Sequence, residues 1–172
     1  MCSVETRLNK SVQLINKTEK KVLEEANTVK VAVNRGWENI EQVGLQGHKS
    51  KLDPLKECYA SVGKVSKLQF PENYFKYPIW KTPTINRIME KYGMVRTRIM
   101  QSQPKTCLTI HRDLTKRIHI PIITNPNCFM MIDGQVHVLQ VGKVYLTNTT
   151  LFHTAVNAST LSRVHIVGCV YD

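Results

Sequence analysis

His111-Arg112-Asp113, with His153 and Arg163 further along, is the set of residues in this chain best suited to chemistry. Residues two apart on a strand project from the same face, so His111 and Asp113 can aim an imidazole nitrogen and a carboxylate oxygen at one point. His153 adds a second imidazole. Two histidines and one carboxylate on one face of a metal leave the opposite face open. That donor set suits Fe(II) when the metal must also bind a cosubstrate and O2. Arg163 lies ten residues after His153. A hairpin turning at Asn157-Ala158-Ser159 would set the two opposite each other, facing the same way. A guanidinium in that place can grip a carboxylate through two parallel hydrogen bonds.

A second polar pair sits inside an apolar strand. In Arg117-Ile118-His119-Ile120-Pro121-Ile122 the isoleucines share one face and Arg117 and His119 the other. Charged side chains face inward only with a partner, and an anionic ligand in a barrel mouth would be one. The plainer alternative is that this face is exposed to water. His165, two residues beyond Arg163, shares its face, whereas His48 and His137 read as loop or surface histidines. An HxD pair by itself is common by chance. The weight lies in the conjunction: His111 and Asp113 end one strand, His153 begins another, and Arg163 is on the next.

The elements that must position these residues change character at Gly93. Beyond it the apolar period is two, predicting strands at Val95–Gln101, Thr106–His111, Arg117–Ile123, Cys128–Ile132, Gln135–Leu139, Lys143–Thr147, Phe152–Val156 and Ser162–Tyr171. Asp133-Gly134 between two of them signals a two-residue hairpin. Eight short strands separated by turn signals indicate a sandwich or jelly roll.

Before Gly93 the pattern is helical. Leu8, Val12, Ile15, Val22, Ala26, Val29 and Val33 form a heptad-like stripe interrupted by Glu19, bounded by Ser3 and by Asn34 and Gly36. It predicts a helix over residues 8–33, docked on its own domain in preference to forming a coiled-coil arm. Asp53-Pro54 reads as an N-cap and first helical residue, with Leu55, Cys58, Tyr59 and Val62 on one face. Residues 71–80 read as extended, and Thr82-Pro83 opens a firmer helix carrying Ile85, Ile88, Met89 and Tyr92. The fold class is therefore mainly β with N-terminal helices (α+β). A helical region, residues 1–93, would pack on a β core, residues 94–172, in one structural domain.

A chain of 172 residues suffices for one well-buried core. No run approaches the apolar length of a membrane span, and the start lacks the basic-then-apolar pattern of a secretory leader. Five cysteines, scattered and with no CxxC pair, argue against a disulfide framework or zinc ribbon and for a reducing, cytoplasmic setting. The net charge of +11 could attract nucleic acid or an acidic polypeptide. With no dense arginine block, a solvated surface is the plainer reading.

Residues 94–172 resemble the iron(II)- and 2-oxoglutarate-dependent oxygenases of the double-stranded β-helix (jelly roll, cupin-like) fold, and within them the aspartyl/asparaginyl β-hydroxylase group. The marks are Pro104 seven residues before His111, Arg117-Ile118-His119-Ile120-Pro121, Gly142-Lys143-Val144, Phe152-His153-Thr154-Ala155-Val156-Asn157 and Arg163-Val164-His165-Ile166-Val167. Residues 1–93 carry no resemblance of comparable specificity. The resemblance implies that His111, Asp113 and His153 bind iron. It implies too that Arg163 holds the distal carboxylate of 2-oxoglutarate, with Arg117 and His119 near its other end and His165 beside them. O2 would be the oxidant, and the substrate an amino-acid side chain, free or in a peptide or protein, as in aspartyl/asparaginyl or prolyl hydroxylases. Phe129, Met131 and Ile120 are expected to form the apolar wall.

Two departures stand out. Animal members of the group lack the carboxylate ligand that Asp113 supplies, and the hydroxyl residue that helps hold their cosubstrate falls near Met100. The competing classes are an oxygenase acting on nucleic acid and a non-catalytic cupin-like binding module. In the first, a second cosubstrate arginine would stand where Cys169 is. In the second, two histidines and a glutamate would replace the HxD pair.

Overall fold

Alternation of apolar and polar residues after Gly93 builds two antiparallel sheets, and the segments before it complete one of them. The structure, a computed structural model, describes residues 11–33 and 41–172. In chain order the elements are β1 (Val12–Lys17), α1 (Lys21–Ala32), β2 (Gln42–Gly44), β3 (Gln46–Gly47), α2 (Pro54–Glu57), β4 (Tyr77–Pro78), α3 (Pro83–Lys91), β5 (Val95–Ser102), β6 (Thr106–Cys107), β7 (Lys116–Ile123), β8 (Cys128–Ile132), β9 (Gln135–His137), β10 (Lys143–Thr147), β11 (His153–Asn157) and β12 (Arg163–Val170). A six-stranded sheet runs β1-β10-β7-β12-β5-β2 and a four-stranded sheet β6-β11-β8-β9, with β3 and β4 a separate ribbon. Side chains of both larger sheets line one cavity between them. This is the jelly roll expected from the strand pattern, and the double-stranded β-helix that the resemblance implies.

The two faces of the six-stranded sheet have different roles. Ile118 and Ile120 of β7, Val164 and Ile166 of β12 and Ile99 of β5 form one buried cluster with Val22, Ala26 and Val29 of α1 and Ile85 and Met89 of α3. The principal apolar core therefore lies between this sheet and the helices. The opposite face, carrying Arg98, Arg117, His119 and Arg163, looks into the cavity. Fully burying a valine or isoleucine is worth about 1.5–3 kcal/mol, whereas an exposed ion pair such as Arg87–Glu19 contributes at most about 1 kcal/mol. Apolar burial thus holds α1 in place. Glu25 adds a cap: its carboxylate accepts from the backbone N–H groups of Thr84 (2.8 Å) and Ile85 (2.8 Å) at the start of α3, whose own N-cap residue makes no side-chain cap. The second half of the stripe is a helix docked on the sheet.

The structure corrects the first half of that stripe. Residues 12–17 are strand, paired antiparallel with β10 from Val12↔Thr147 to Lys17↔Lys143 across a bulge at Leu14/Asn16. Val12, Leu14 and Ile15 suit a strand, and β10, paired with β7 on its other side, offers an unfilled row of backbone hydrogen-bonding groups. Helix begins only at Lys21. Leu8 and the boundary residues Ser3, Asn34 and Gly36 lie outside the described residues. Asp53 caps α2 by accepting from Leu55 N–H at 3.0 Å, but of the expected apolar face only Cys58 joins the core, while Leu55 and Tyr59 are exposed.

Two turns matter for the site. Asp133 (φ 50°) and Gly134 (φ 76°) close the β8–β9 hairpin in the left-handed conformation that a two-residue turn demands. At Asn157-Ala158-Ser159 the expected hairpin is instead a corner. β11 pairs with β6 and β8, while β12 pairs with β5 and β7 in the other sheet. The Asn157 side chain sets that corner. Its amide donates to the carbonyls of Ser102, Gln103 and Leu161, and its oxygen accepts from Ser159 N–H. His153 and Arg163 therefore face one another across the sandwich and are not neighbours within a ladder.

Candidate active site

The cavity between the sheets has a volume of about 670 Å³, and His111, Asp113, His153, Arg117, His119 and Arg163 all line it. His111 and His153 are brought together by an isolated antiparallel bridge, with N–H···O bonds of 3.0 and 2.9 Å in the two directions. The strand expected over residues 106–111 ends at Cys107, and only this bridge continues it. Asp113 is anchored by its own N–H to the Thr149 carbonyl at 2.8 Å. One ligand atom from each of His111, Asp113 and His153 lies within 4.8 Å of the others. His111 Nε2 is 4.0 Å and His153 Nε2 3.8 Å from the Asp113 carboxylate.

The tautomers are set by the backbone. His111 Nδ1 lies 2.7 Å from the Thr109 carbonyl and His153 Nδ1 3.0 Å from that of Leu151, so each Nδ1 donates its proton and leaves the Nε2 lone pair for the common point. Burial, followed by the opposing hydrogen bond and charges, keeps His153 below the ordinary histidine range and so neutral. Two neutral imidazoles and a carboxylate are the donor set that a divalent transition metal requires. The residues present fit the metal.

Arg117 stands behind the carboxylate. Its Nε donates to Asp113 Oδ2 at 2.9 Å, one terminal nitrogen to Thr115 Oγ1 at 2.9 Å, and the other reaches Glu72 at 3.4 Å. Burial would raise the Asp113 pKa, but the hydrogen bond and charge of Arg117 outweigh it and hold the carboxyl below the usual range. Glu72 is depressed in the same way, its burial overcome by Arg117 and Arg96. Arg96, fully buried, pairs with Glu72 and donates to the carbonyls of Ser61 and Gly63. Arg117 thus presents its nitrogens to protein acceptors and orients Asp113.

Arg163 is different. Only 7% exposed, it lines the cavity with its Nε buried and without a partner, and no carboxylate among the described residues offsets its charge. A buried guanidinium left this way is costly unless a ligand completes it. Arg98, on the same face of β5, is the residue that strand alternation could have revealed and that the motifs did not single out. Among the described residues it donates to neutral acceptors, the Arg96 carbonyl at 3.2 Å and Gln42 at 2.9 Å. Burial and then the charge of Arg96 lower its pKa to about 10, and it stays protonated. The apolar lining also differs from expectation. Phe129 and Met131 alternate away from Met130, and Ile120 faces the helices, so Met100, Met130 and Ala155 form the wall.

His119 and His165 are both buried, their Nδ1 atoms 3.3 Å apart. Burial, and after it the charge of Arg163, pushes His119 down to about 3 and His165 well below the usual value. Their unfolded counterparts take up protons near pH 6.5, so the folded form binds fewer protons below that pH. The stability tied to these histidines is full above pH 6.5 and drains away as the pH falls toward 3. The metal-free protein is therefore expected to lose melting temperature steadily from pH 7 to pH 4.5, and a His119→Gln variant to show a flatter profile. A wild-type melting temperature constant over that range would contradict this assignment.

The fold and the His/Asp/His group define a jelly-roll protein with a candidate mononuclear metal centre open on one side. More particularly, the chain belongs to the aspartyl/asparaginyl beta-hydroxylase family, which it matches over residues 16–171. The match reaches well before residue 94, into a region whose motifs alone carried no such resemblance. No curated protein matches the chain. Among solved structures it is similar to the viral collagen prolyl hydroxylase of Paramecium bursaria Chlorella virus-1 in its 2-oxoglutarate complex, with 8% identity and a TM-score of 0.51 over 95% of this chain and 98% of that one. A Pseudomonas putida prolyl-4-hydroxylase (11% identity, TM-score 0.47, 93% and 86% of the chains) and a cupin domain from Bordetella pertussis Tohama I (17%, 0.39, 44% and 80%) are also similar. These likenesses concern the fold. Among the described residues no helix is long and apolar enough to cross a membrane.

Proposed function

We propose that this protein is an iron(II)- and 2-oxoglutarate-dependent dioxygenase that hydroxylates an amino-acid side chain within a polypeptide. The observation that carries the reading is one cavity holding both the His111/Asp113/His153 ligand group and an unpartnered Arg163. His111, Asp113 and His153 would hold the iron. Arg163 would grip the distal carboxylate of 2-oxoglutarate, and His119 would meet its other end. Bound Fe(II) and 2-oxoglutarate supply the oxidising chemistry, in which O2 and the keto acid are consumed to give succinate, CO2 and a hydroxylated C–H. The protein's own share is placement. Arg117 keeps Asp113 ionised and turned toward the metal, and Met100, Met130 and Ala155 keep that side of the cavity apolar.

A polypeptide substrate is favoured by the rim. Leu108, Ile110, Leu114 and Phe152 are exposed close to the ligand residues in sequence, with Arg112 stacked 3.9 Å over the Phe152 ring. Leu108 lines the cavity, and exposed apolar side chains next in sequence to the ligand residues would suit a chain laid across the opening better than a free amino acid. Arg98, with no carboxylate partner among the described residues, would face the carboxyl or amide oxygen of the target side chain.

The test is succinate formation with Fe(II), O2 and 2-oxoglutarate, in the presence of peptides containing aspartate, asparagine or proline. The expected result is peptide-dependent succinate accompanied by a peptide mass increase of one oxygen. Stimulation by free amino acids alone would remove the polypeptide claim. Stimulation by single-stranded DNA, weakening steeply with salt, would favour the nucleic-acid alternative. An absence of succinate under every condition would leave a binding module.

A further inference from the structure

His119 of β7 and His165 of β12 form a buried histidine pair. β7 and β12 pair antiparallel with His119 opposite Val167 and Pro121 opposite His165, which places His119 and His165 diagonally on the cavity face. Their rings meet edge to face at 81°, with Nδ1 pointing at Nδ1 across 3.3 Å. Both rings are neutral, so the shared contact holds a single proton and one Nδ1 must donate to the other.

The outer nitrogens decide which one donates. His165 Nε2 is sealed from solvent and has no hydrogen-bond partner. His119 lines the cavity. If His119 supplied the shared proton, His165 would carry its own on Nε2, as a buried N–H with no acceptor. If His165 supplies it, His165 Nε2 is a bare lone pair and His119 carries its proton on Nε2, facing the cavity. An orphaned buried N–H is rarer and more costly than an unmatched acceptor. The second arrangement also lets His119 donate, beside Arg98 and Arg163, to an anion held in the cavity.

We propose that His165 is a positioning residue. Its Nδ1–H donates to His119 Nδ1 and holds His119 in the Nε2–H tautomer, so that His119 offers a neutral donor to a carboxylate bound in the cavity. The tautomer lock stands on the pair's own geometry. The identity of the carboxylate, 2-oxoglutarate, rests on the function proposed above.

Long-range 1H–15N NMR of the metal-free, 15N-histidine-labelled protein at pH 7, assigned with single histidine variants, reads the tautomers directly. The expected pattern is His119 protonated on Nε2 and His165 on Nδ1. The reverse pattern, or an imidazolium at either residue, would overturn the proposal. The second measurement is 2-oxoglutarate binding by calorimetry with Mn(II) in place of iron. His165→Asn, which keeps an N–H where Nδ1 stood, should bind within about twofold of wild type, and His165→Leu about three- to tenfold more weakly. Equal weakening in both variants, or in neither, would refute the positioning role. If the wild type does not bind 2-oxoglutarate at all, the proposed function fails while the NMR still decides the lock.

Discussion

Replacing Asp113 by alanine is expected to abolish tight Fe(II) binding and, with it, all 2-oxoglutarate turnover. Altering a residue that only supports a metal ligand typically costs about 10–100-fold in affinity or activity. Removing one of three ligands should therefore exceed a hundredfold. The fold should survive. Arg117 keeps its contacts to Thr115 and Glu72, and the bond from residue 113 N–H to the Thr149 carbonyl does not involve the side chain. The lost Arg117 contact should lower stability by about 1–2 kcal/mol, less than the cost of stranding a fully unpaired buried charge. Anaerobic Fe(II) titration beside a thermal melt checks both statements. Wild-type iron affinity in the folded variant would remove Asp113 from the ligand set.

Arg163→Met should move binding and stability in opposite directions. The guanidinium is buried with its Nε unpartnered, so in the ligand-free protein it carries a desolvation cost with no compensating carboxylate. A methionine of similar reach removes that cost, and the melting temperature should rise or hold. Cosubstrate binding should lose two charge-assisted hydrogen bonds, each worth about 1.5–3 kcal/mol, which corresponds to at least about a hundredfold in the 2-oxoglutarate dissociation constant. Iron binding should be retained. A destabilised variant with unchanged cosubstrate affinity would mean that Arg163 holds the sandwich together and leaves the ligand to another residue.

Much of the β core was legible because strand burial writes itself into a period of two. Cys128–Ile132 and Lys143–Thr147 fall where alternation put them, and the opposed faces of β7, isoleucines against Arg117 and His119, are those of the structure. The N-terminal stripe misled because Leu8, Val12 and Ile15 fit a helical spacing while their segment has β-forming composition. What made residues 12–17 a strand was the open edge of β10, more than a hundred residues away in the chain.

The sequence by itself determined the donor types, the positions of most core strands along the chain and the parity that puts Arg117 with His119, and Arg163 with His165, on one face, since each depends only on neighbouring residues and their spacing. Only the tertiary structure decided which partners those side chains meet. The corner at Asn157 carries the chain to the other sheet, so that His153 and Arg163 face each other across a cavity. Glu72, at the start of a short 3-10 helix remote in the chain, draws off one side of Arg117, while Arg98 and Arg163 have no carboxylate partner among the described residues. The physical reason is that a charge's role depends on its desolvation and on which opposite charge lies within a few ångströms. Those distances are set by sheet pairing between segments far apart in sequence.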